Sequence, residues 1–237
     1  MIVNKDPADL IWPDDFINKI ICGDCLEVMK KIPDGAVDLV LTDPPYGIDY
    51  NGEATPQGKH TFSHRGQTAK VFGDNKPFDA RFLVKRFYDK SMILWGANCY
   101  CDTLPIEFVW LVWDKVTKNG LKLRIAECEF AWTNCVGRSQ VFRHLWSGAY
   151  RDSERKVYVH PTQKPIRLFQ WCIELSKTKG IILDPFLGSG TTAVAAKQLG
   201  RQFIGIEINM DYCKIAEDRL RQEELFNPAP AQTQEDE

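Results

Sequence analysis

Four consecutive residues, Asp43-Pro44-Pro45-Tyr46, put a carboxylate, a backbone carbonyl and an aromatic ring within one turn of chain. They follow the apolar run Ala36-Val37-Asp38-Leu39-Val40-Leu41 and lead into Gly47. Two successive prolines cannot continue a strand ladder, because neither has an N–H to donate, so the run predicts a buried strand that stops at the tetrad. The Pro44 carbonyl is then left without a strand partner. Asp43 and that carbonyl can accept two hydrogen bonds while Tyr46 offers a stacking face, which is what a flat ring bearing an amino group requires. By itself a Pro-Pro pair more often marks an ordinary strand-end turn, so the weight of this reading depends on the rest of the chain.

A second constellation lies late in the sequence. Ile181-Ile182-Leu183-Asp184-Pro185-Phe186-Leu187-Gly188-Ser189-Gly190-Thr191-Thr192 reads as a strand entering a glycine-rich turn. A helix follows over residues 193–199, with Gly200 as its stop. Such a turn lets backbone N–H groups approach a nucleotide-like ligand closely. Glu207 closes the next strand, 203–207, and lies 19 residues after Gly188. That distance suits an acid taking both hydroxyls of a ribose. Gly-x-Gly alone is more often a tight turn; the acid strengthens the signal.

The elements that must position these groups follow from pattern. Residues 17–22 predict a strand ending at Gly23-Asp24, residues 25–31 a helix closed by Pro33-Asp34-Gly35, and the strand to Asp43 follows. This strand-helix-strand unit permits a parallel crossover. It puts Asp24 and Asp43 at the carboxyl ends of neighbouring strands, the edge along which open α/β sheets bind ligands. A helix is expected over 78–88, then strands over 91–95, 108–113 and 127–132, with an antiparallel hairpin at the far edge. Pro165 suits the first turn of a helix reaching about residue 177, with Ile166, Phe169 and Ile173 on its apolar stripe. A last helix is expected over 211–221. The fold class is therefore α/β, a mostly parallel twisted sheet with helices on both faces, in one domain over residues 1–221.

The chain has 237 residues, 44% of them hydrophobic, enough for one domain with a substantial core. Its formal net charge is -2, but the acids Glu223, Glu224, Glu235, Asp236 and Glu237 stand in a base-free stretch that reads as a disordered acidic tail over 222–237. The remainder is basic. Residues 48–77 form a polar, glycine-rich flap loop, long enough to be either a solvated loop or a functional one. Within 134–159, Arg138, Arg143, Arg151, Arg155 and Lys156 are interleaved with Phe142, Trp146, Tyr150 and Tyr158. Cations can meet phosphates while rings stack or wedge, so the segment reads as a nucleic-acid face, or else as a solvated loop with anchoring aromatics. No apolar run approaches a membrane span and the first residues lack a signal-peptide core, so a cytoplasmic protein with no membrane partner is expected. The eight cysteines suit buried thiols in a reducing compartment. Cys22-x-x-Cys25 and Cys99-x-Cys101 have no His at ligand spacing, so no metal is expected.

Together the two strand-end sites resemble those of the DNA amino-methyltransferases. In that family a D-P-P-Y tetrad holds the target base, and a D-P-F-x-G-S-G-T motif holds S-adenosylmethionine. Both are complete here, as Asp43 to Tyr46 and Asp184 to Thr191, and the stretch His160 to Pro165 just before the second motif resembles the circularly permuted order of the β-class members. The resemblance implies a Rossmann-like S-adenosylmethionine-dependent methyltransferase acting on double-stranded DNA at adenine N6. The alternatives are cytosine N4 and an inactive DNA-binding relative; an Asp at the tetrad's first position goes mainly with adenine. It also implies that Asp184, Phe186, Gly188, Ser189, Gly190 and Thr191 wrap the cofactor, that Glu207 binds its ribose, and that Asp24 and the Cys25 N–H meet its adenine. Thr162 and Lys164 would meet its methionine end. Asp43 and the Pro44 carbonyl would accept from the target amine, Pro45 would stiffen the turn, and Tyr46 would stack on the base. The segment 134–159 falls where relatives keep a target-recognition region. A homodimer and a cognate restriction endonuclease are expectations from the resemblance alone.

Overall fold

The computed structural model describes residues 1–47, 73–116, 126–147, 150–154 and 163–226. Along the chain the strands and helices are β1 (Ile2–Val3), β2 (Lys19–Cys22), α1 (Cys25–Met29), β3 (Val37–Thr42), α2 (Arg81–Arg86), β4 (Ser91–Trp95), β5 (Val109–Asp114), β6 (Cys128–Thr133) and β7 (Gln140–Arg143). They continue with β8 (Trp146–Ser147), β9 (Tyr150–Arg151), α3 (Ile166–Ser176), β10 (Ile181–Asp184), α4 (Thr191–Gln198), β11 (Phe203–Glu207) and α5 (Met210–Phe226).

Nine strands make one sheet in the order β1-β2-β11-β10-β3-β4-β6-β5-β7, and β8 pairs with β9 in a separate ribbon. Within the nine, β6 alone runs against its neighbours β4 and β5; every other pairing is parallel. The central strands are apolar on both faces, as strands covered by helices on both sides must be. Leu39 and Leu41 of β3 pack toward α3, α4 and α5, whereas Val37 and Val40 pack toward α1 and α2. On α3, Leu168, Phe169, Cys172 and Ile173 form the buried stripe, and its chain turns out through Lys177 in a left-handed conformation (φ 57°). The small residues Ala193, Ala195 and Ala196 let α4 lie close to the sheet.

The order corrects one expectation. β2 and β3 are consecutive in the chain, yet they are not neighbours: β11 and β10 lie between them. Pairing of Ile182 with Leu39 and of Leu183 with Val40 therefore puts the glycine-rich turn after β10 directly beside the tetrad after β3. The hairpin of β5 and β6 forms as expected, but the far edge of the sheet is β7, inside the segment 134–159 for which the sequence pattern predicts no strand. The helix expected over 78–88 is confined to Arg81–Arg86, because Phe78 leaves the helical path to pack edge-on against Tyr100 and Phe186. The last helix runs on to Phe226, past the boundary set at residue 221, and 227–237 lie outside the described residues. Cys99 and Cys101 are exposed rather than buried. Among the described residues no helix is long and apolar enough to cross a membrane.

Candidate active site

The two loops are joined by a buried acid. Asp184, at the end of β10, accepts from the Thr42 hydroxyl at the end of β3 (2.6 Å), from the Phe186 N–H (3.1 Å) and from the Thr192 hydroxyl of α4. Its burial pushes the carboxyl up to about 6, even though these donors favour the charged form. Asp184, expected to wrap a cofactor, is thus an internal tie between β3, β10 and α4.

Gly188 and Gly190 both adopt left-handed conformations (φ 54° and 86°). They differ in what surrounds them. A Cβ on Gly190 would lie 2.6 Å from the Ala216 Cβ of α5, so that glycine serves helix packing. A Cβ on Gly188 would meet nothing within 4 Å, so this position borders open space into which a ligand can fit. Glu207 holds the turn from the next strand: its carboxylate accepts from the Gly188 N–H and the Asn209 N–H, both at 2.8 Å, and burial raises its pKa. Asp24 is exposed at the head of α1, accepting from the Leu26 N–H at 2.8 Å, and the Gly23 N–H donates to the Glu207 carbonyl at 3.0 Å. Asp24, Gly188 and Glu207 are therefore gathered at three adjoining strand ends. The Cys25 thiol is buried, and burial followed by the Asp24 charge pushes it up to about 12. Ser189 and Thr191 face inward, where the buried Arg219 of α5 donates to the Ser189 carbonyl (2.8 Å) and to the Thr191 hydroxyl (3.2 Å).

In the tetrad, Tyr46 donates its hydroxyl to Asp43 Oδ1 at 2.6 Å. Its ring covers Gly96 at the end of β4 so closely that a Cβ there would sit 1.8 Å from Cε1. Burial, then the negative charges of Asp43 and Glu129, raise the Tyr46 pKa well above its usual value, so the phenol stays a donor. The ring expected to stack on a base lies half-buried against Gly96. The Lys164 ammonium bonds Asp43 Oδ2 and lies 3.1 Å from the Tyr46 hydroxyl and 3.2 Å from Glu129 Oε2. Lys164 therefore stands at the target carboxylate as well as beside the glycine-rich turn, where Thr191 reaches its carbonyl at 3.5 Å. Glu129 of β6 is in turn paired with Lys115. The Gly47 N–H donates to Asp74 at 2.7 Å and closes the base of the flap.

The basic segment divides. Arg138 and Arg143 are exposed, the latter 3.6 Å from Asp114, while Arg151 is buried with its guanidinium 4.1 Å from the Trp146 ring centroid. That stacking withdraws Arg151 from the phosphate-facing set. Arg155, Lys156, His160 and Thr162, and the flap over 48–72, lie outside the described residues. Sequence reasoning missed Glu129, Lys115, Arg219 and Thr42. Only Glu129 left a signal, as an acid inside the apolar strand Cys128–Thr133.

A mostly parallel sheet carrying a glycine-rich turn and an acid at adjoining strand ends defines a Rossmann-like fold. A family model described as DNA methylase matches residues 112–218, which include Lys164, Asp184 and Glu207 but not the tetrad. The type II methyltransferase M.HinfI of Haemophilus influenzae is 29% identical, over 88% of this chain and 70% of that protein. M2.DpnII of Streptococcus pneumoniae is 28% identical, over 89% of this chain and 92% of that protein. The chain is thus similar to DNA methylases over residues 112–218 and to type II methyltransferases over most of its length. Its fold is shared with M1.HpyAVI in complex with SAM (TM-score 0.52, 22% identity, 85% and 98% coverage) and with the cytosine-N4-specific PvuII DNA methyltransferase (TM-score 0.54, 17%, 84% and 85%).

The Asp184 tie carries a pH signature. A carboxyl whose folded pKa is raised from 3.8 to about 6 adds stability that is fully present below pH 3.8 and is lost as pH rises through 6. The stability of the wild type minus that of Asp184→Asn, measured by urea unfolding from pH 4 to 7, is expected to fall by up to about 3 kcal/mol and then level off.

Proposed function

We propose that the protein transfers a methyl group from S-adenosylmethionine to the N6 amine of an adenine in double-stranded DNA. The observation that carries this reading is the adjacency of β3 and β10, which sets an acceptor carboxylate beside a glycine-rich nucleoside turn. The open space at Gly188, the anchored Glu207 carboxylate and the exposed Asp24 fit an adenosine group: Glu207 would hold the ribose hydroxyls and Asp24 the adenine amine. Phe186, pinned edge-on by Phe78, would flank it. When bound, S-adenosylmethionine supplies an activated methyl on a sulfonium.

The rest is done by the chain. An exocyclic amine is a poor nucleophile because its lone pair is delocalised into the ring. Asp43 and the Pro44 carbonyl, held at a fixed distance by the two prolines, accept its two N–H groups and draw the nitrogen toward tetrahedral geometry. Catalysis is then positioning and electrostatic stabilisation. The target base must leave its stack, at a cost of a few kcal/mol, and the Tyr46 ring turning outward from Gly96 would offset part of it. Exposed Arg138 and Arg143 would contact phosphates. A homodimer and a cognate restriction endonuclease belong to this reading on the resemblance of the motifs alone.

DNA methylated by the protein and digested to nucleosides is expected to contain N6-methyladenine; N4-methylcytosine in its place would overturn the choice of base. Asp43→Ala should abolish turnover while leaving cofactor affinity within a few-fold, as measured by calorimetry. Reversing Arg138 and Arg143 to Glu should reduce the slope of log K against log salt by about 2. An unchanged slope would make the segment a solvated edge only.

A further inference from the structure

Both oxygens of Asp43 are engaged in this structure. Tyr46 donates to Oδ1 and the Lys164 ammonium to Oδ2. The Oδ1 donor leaves when the Tyr46 ring turns outward, whereas an amine approaching Oδ2 competes with the lysine for that oxygen's lone pairs. The Lys164 side chain is only 8% exposed, and stripping a buried cation of its partner is strongly unfavourable. Lys164 can therefore yield Asp43 only if a second carboxylate already stands within reach.

Glu129 meets that condition. Its Oε2 is 3.2 Å from the Lys164 ammonium and its Oε1 is bonded to Lys115, whose own ammonium lies 4.9 Å from the Trp113 ring centroid. The four groups alternate in sign through successive contacts, Lys115, Glu129, Lys164, Asp43, with side-chain exposures of 10, 23, 8 and 19%. Burial alone would raise the Glu129 carboxyl, but the Lys164 and Lys115 charges outweigh it and hold it below the usual range. Likewise burial would lower Lys164, and Asp43 with Glu129 reverse that. Glu129 and Lys164 thus favour each other's charged form. Glu129 comes from β6, the antiparallel strand, which lies outside the two strand-end loops that the motifs mark.

We propose that Glu129 is a positioning residue, the station that receives the Lys164 ammonium when the target amine takes its place on Asp43. Lys115 fixes that station by holding the other Glu129 oxygen. The inference rests on the amino-methyl transfer reading above. It accounts for an acid within an apolar strand and for a carboxylate that is satisfied at rest yet able to accept from substrate.

The test measures single-turnover methylation and cofactor dissociation constants for the wild type, Glu129→Gln, Lys164→Met and the double variant. Glu129→Gln is expected to slow turnover roughly 10–100-fold with the cofactor constant within threefold. In the Lys164→Met background, with no ammonium to relocate, the same change should have no further effect. Glu129→Asp, which keeps the charge, should recover part of the rate. A Glu129→Gln rate within threefold of wild type overturns the inference. Losses that multiply in the double variant, or a cofactor affinity that falls in parallel with rate, also overturn it. If Glu129→Gln does not fold, or if Lys164→Met has no measurable rate, the split between rate and cofactor affinity in Glu129→Asp decides on the same terms. A wild type that methylates no DNA overturns the functional reading and this inference together, whereas an active wild type with multiplying losses overturns this inference alone.

Discussion

The hydrogen bond from Thr42 to the buried Asp184 carboxylate is the contact on which the site depends. It joins the last residue of the strand that ends in the tetrad to the last residue of the strand that ends in the glycine-rich turn. Asp184 also takes the Phe186 N–H and the Thr192 hydroxyl, so the same carboxylate fixes the start of the turn and the first turn of α4. Burying a charge is unfavourable unless its lone pairs are met, and here three donors meet them. The rigidity gained is passed to Gly188 on one side and to Asp43 on the other.

Around that tie the protein divides its labour between two kinds of glycine and two kinds of acid. Gly190 and Gly96 are crowded positions where a side chain would collide with α5 or with Tyr46; Gly188 is open. Asp184 is closed on itself, whereas Glu207 and Asp24 stand at the edge of the open space, anchored by backbone donors. The buried Arg219 supports the turn from behind through Ser189 and Thr191. A motif that reads as one ligand-binding string is therefore partly a scaffold, its polar side chains facing inward so that its backbone can face outward.

Local patterns carried the parts of this that depend on near neighbours in sequence. Apolar runs closed by prolines or glycines located β3 and β10, and the interval from Gly188 to Glu207 located the acid. What was not legible depends on partners distant in sequence. Nothing near Lys164 reveals that Asp43 lies against it, and nothing near Arg151 reveals that it stacks on Trp146 rather than facing solvent. The neighbour of β3 is not legible for the same reason: a strand-helix-strand unit shows the direction of a crossover, not how many strands it steps over. Edge strand β7, four residues long with Val141 and Arg143 exposed, has too little apolar character to stand out from a loop.

The interleaving of β10 and β11 between β2 and β3 has a consequence for how the molecule is made. During synthesis the amino-terminal strands emerge first, and β2 and β3 cannot join into one sheet until residues 181–207 arrive to fill the gap. Until then two apolar parallel strands keep open edges, a state prone to wrong pairing and slow to resolve, because its contacts span most of the chain. The edge that carries the tetrad and the glycine-rich turn is thus completed by the last of the described strands, and a chain interrupted before Glu207 lacks strands that join β2 to β3.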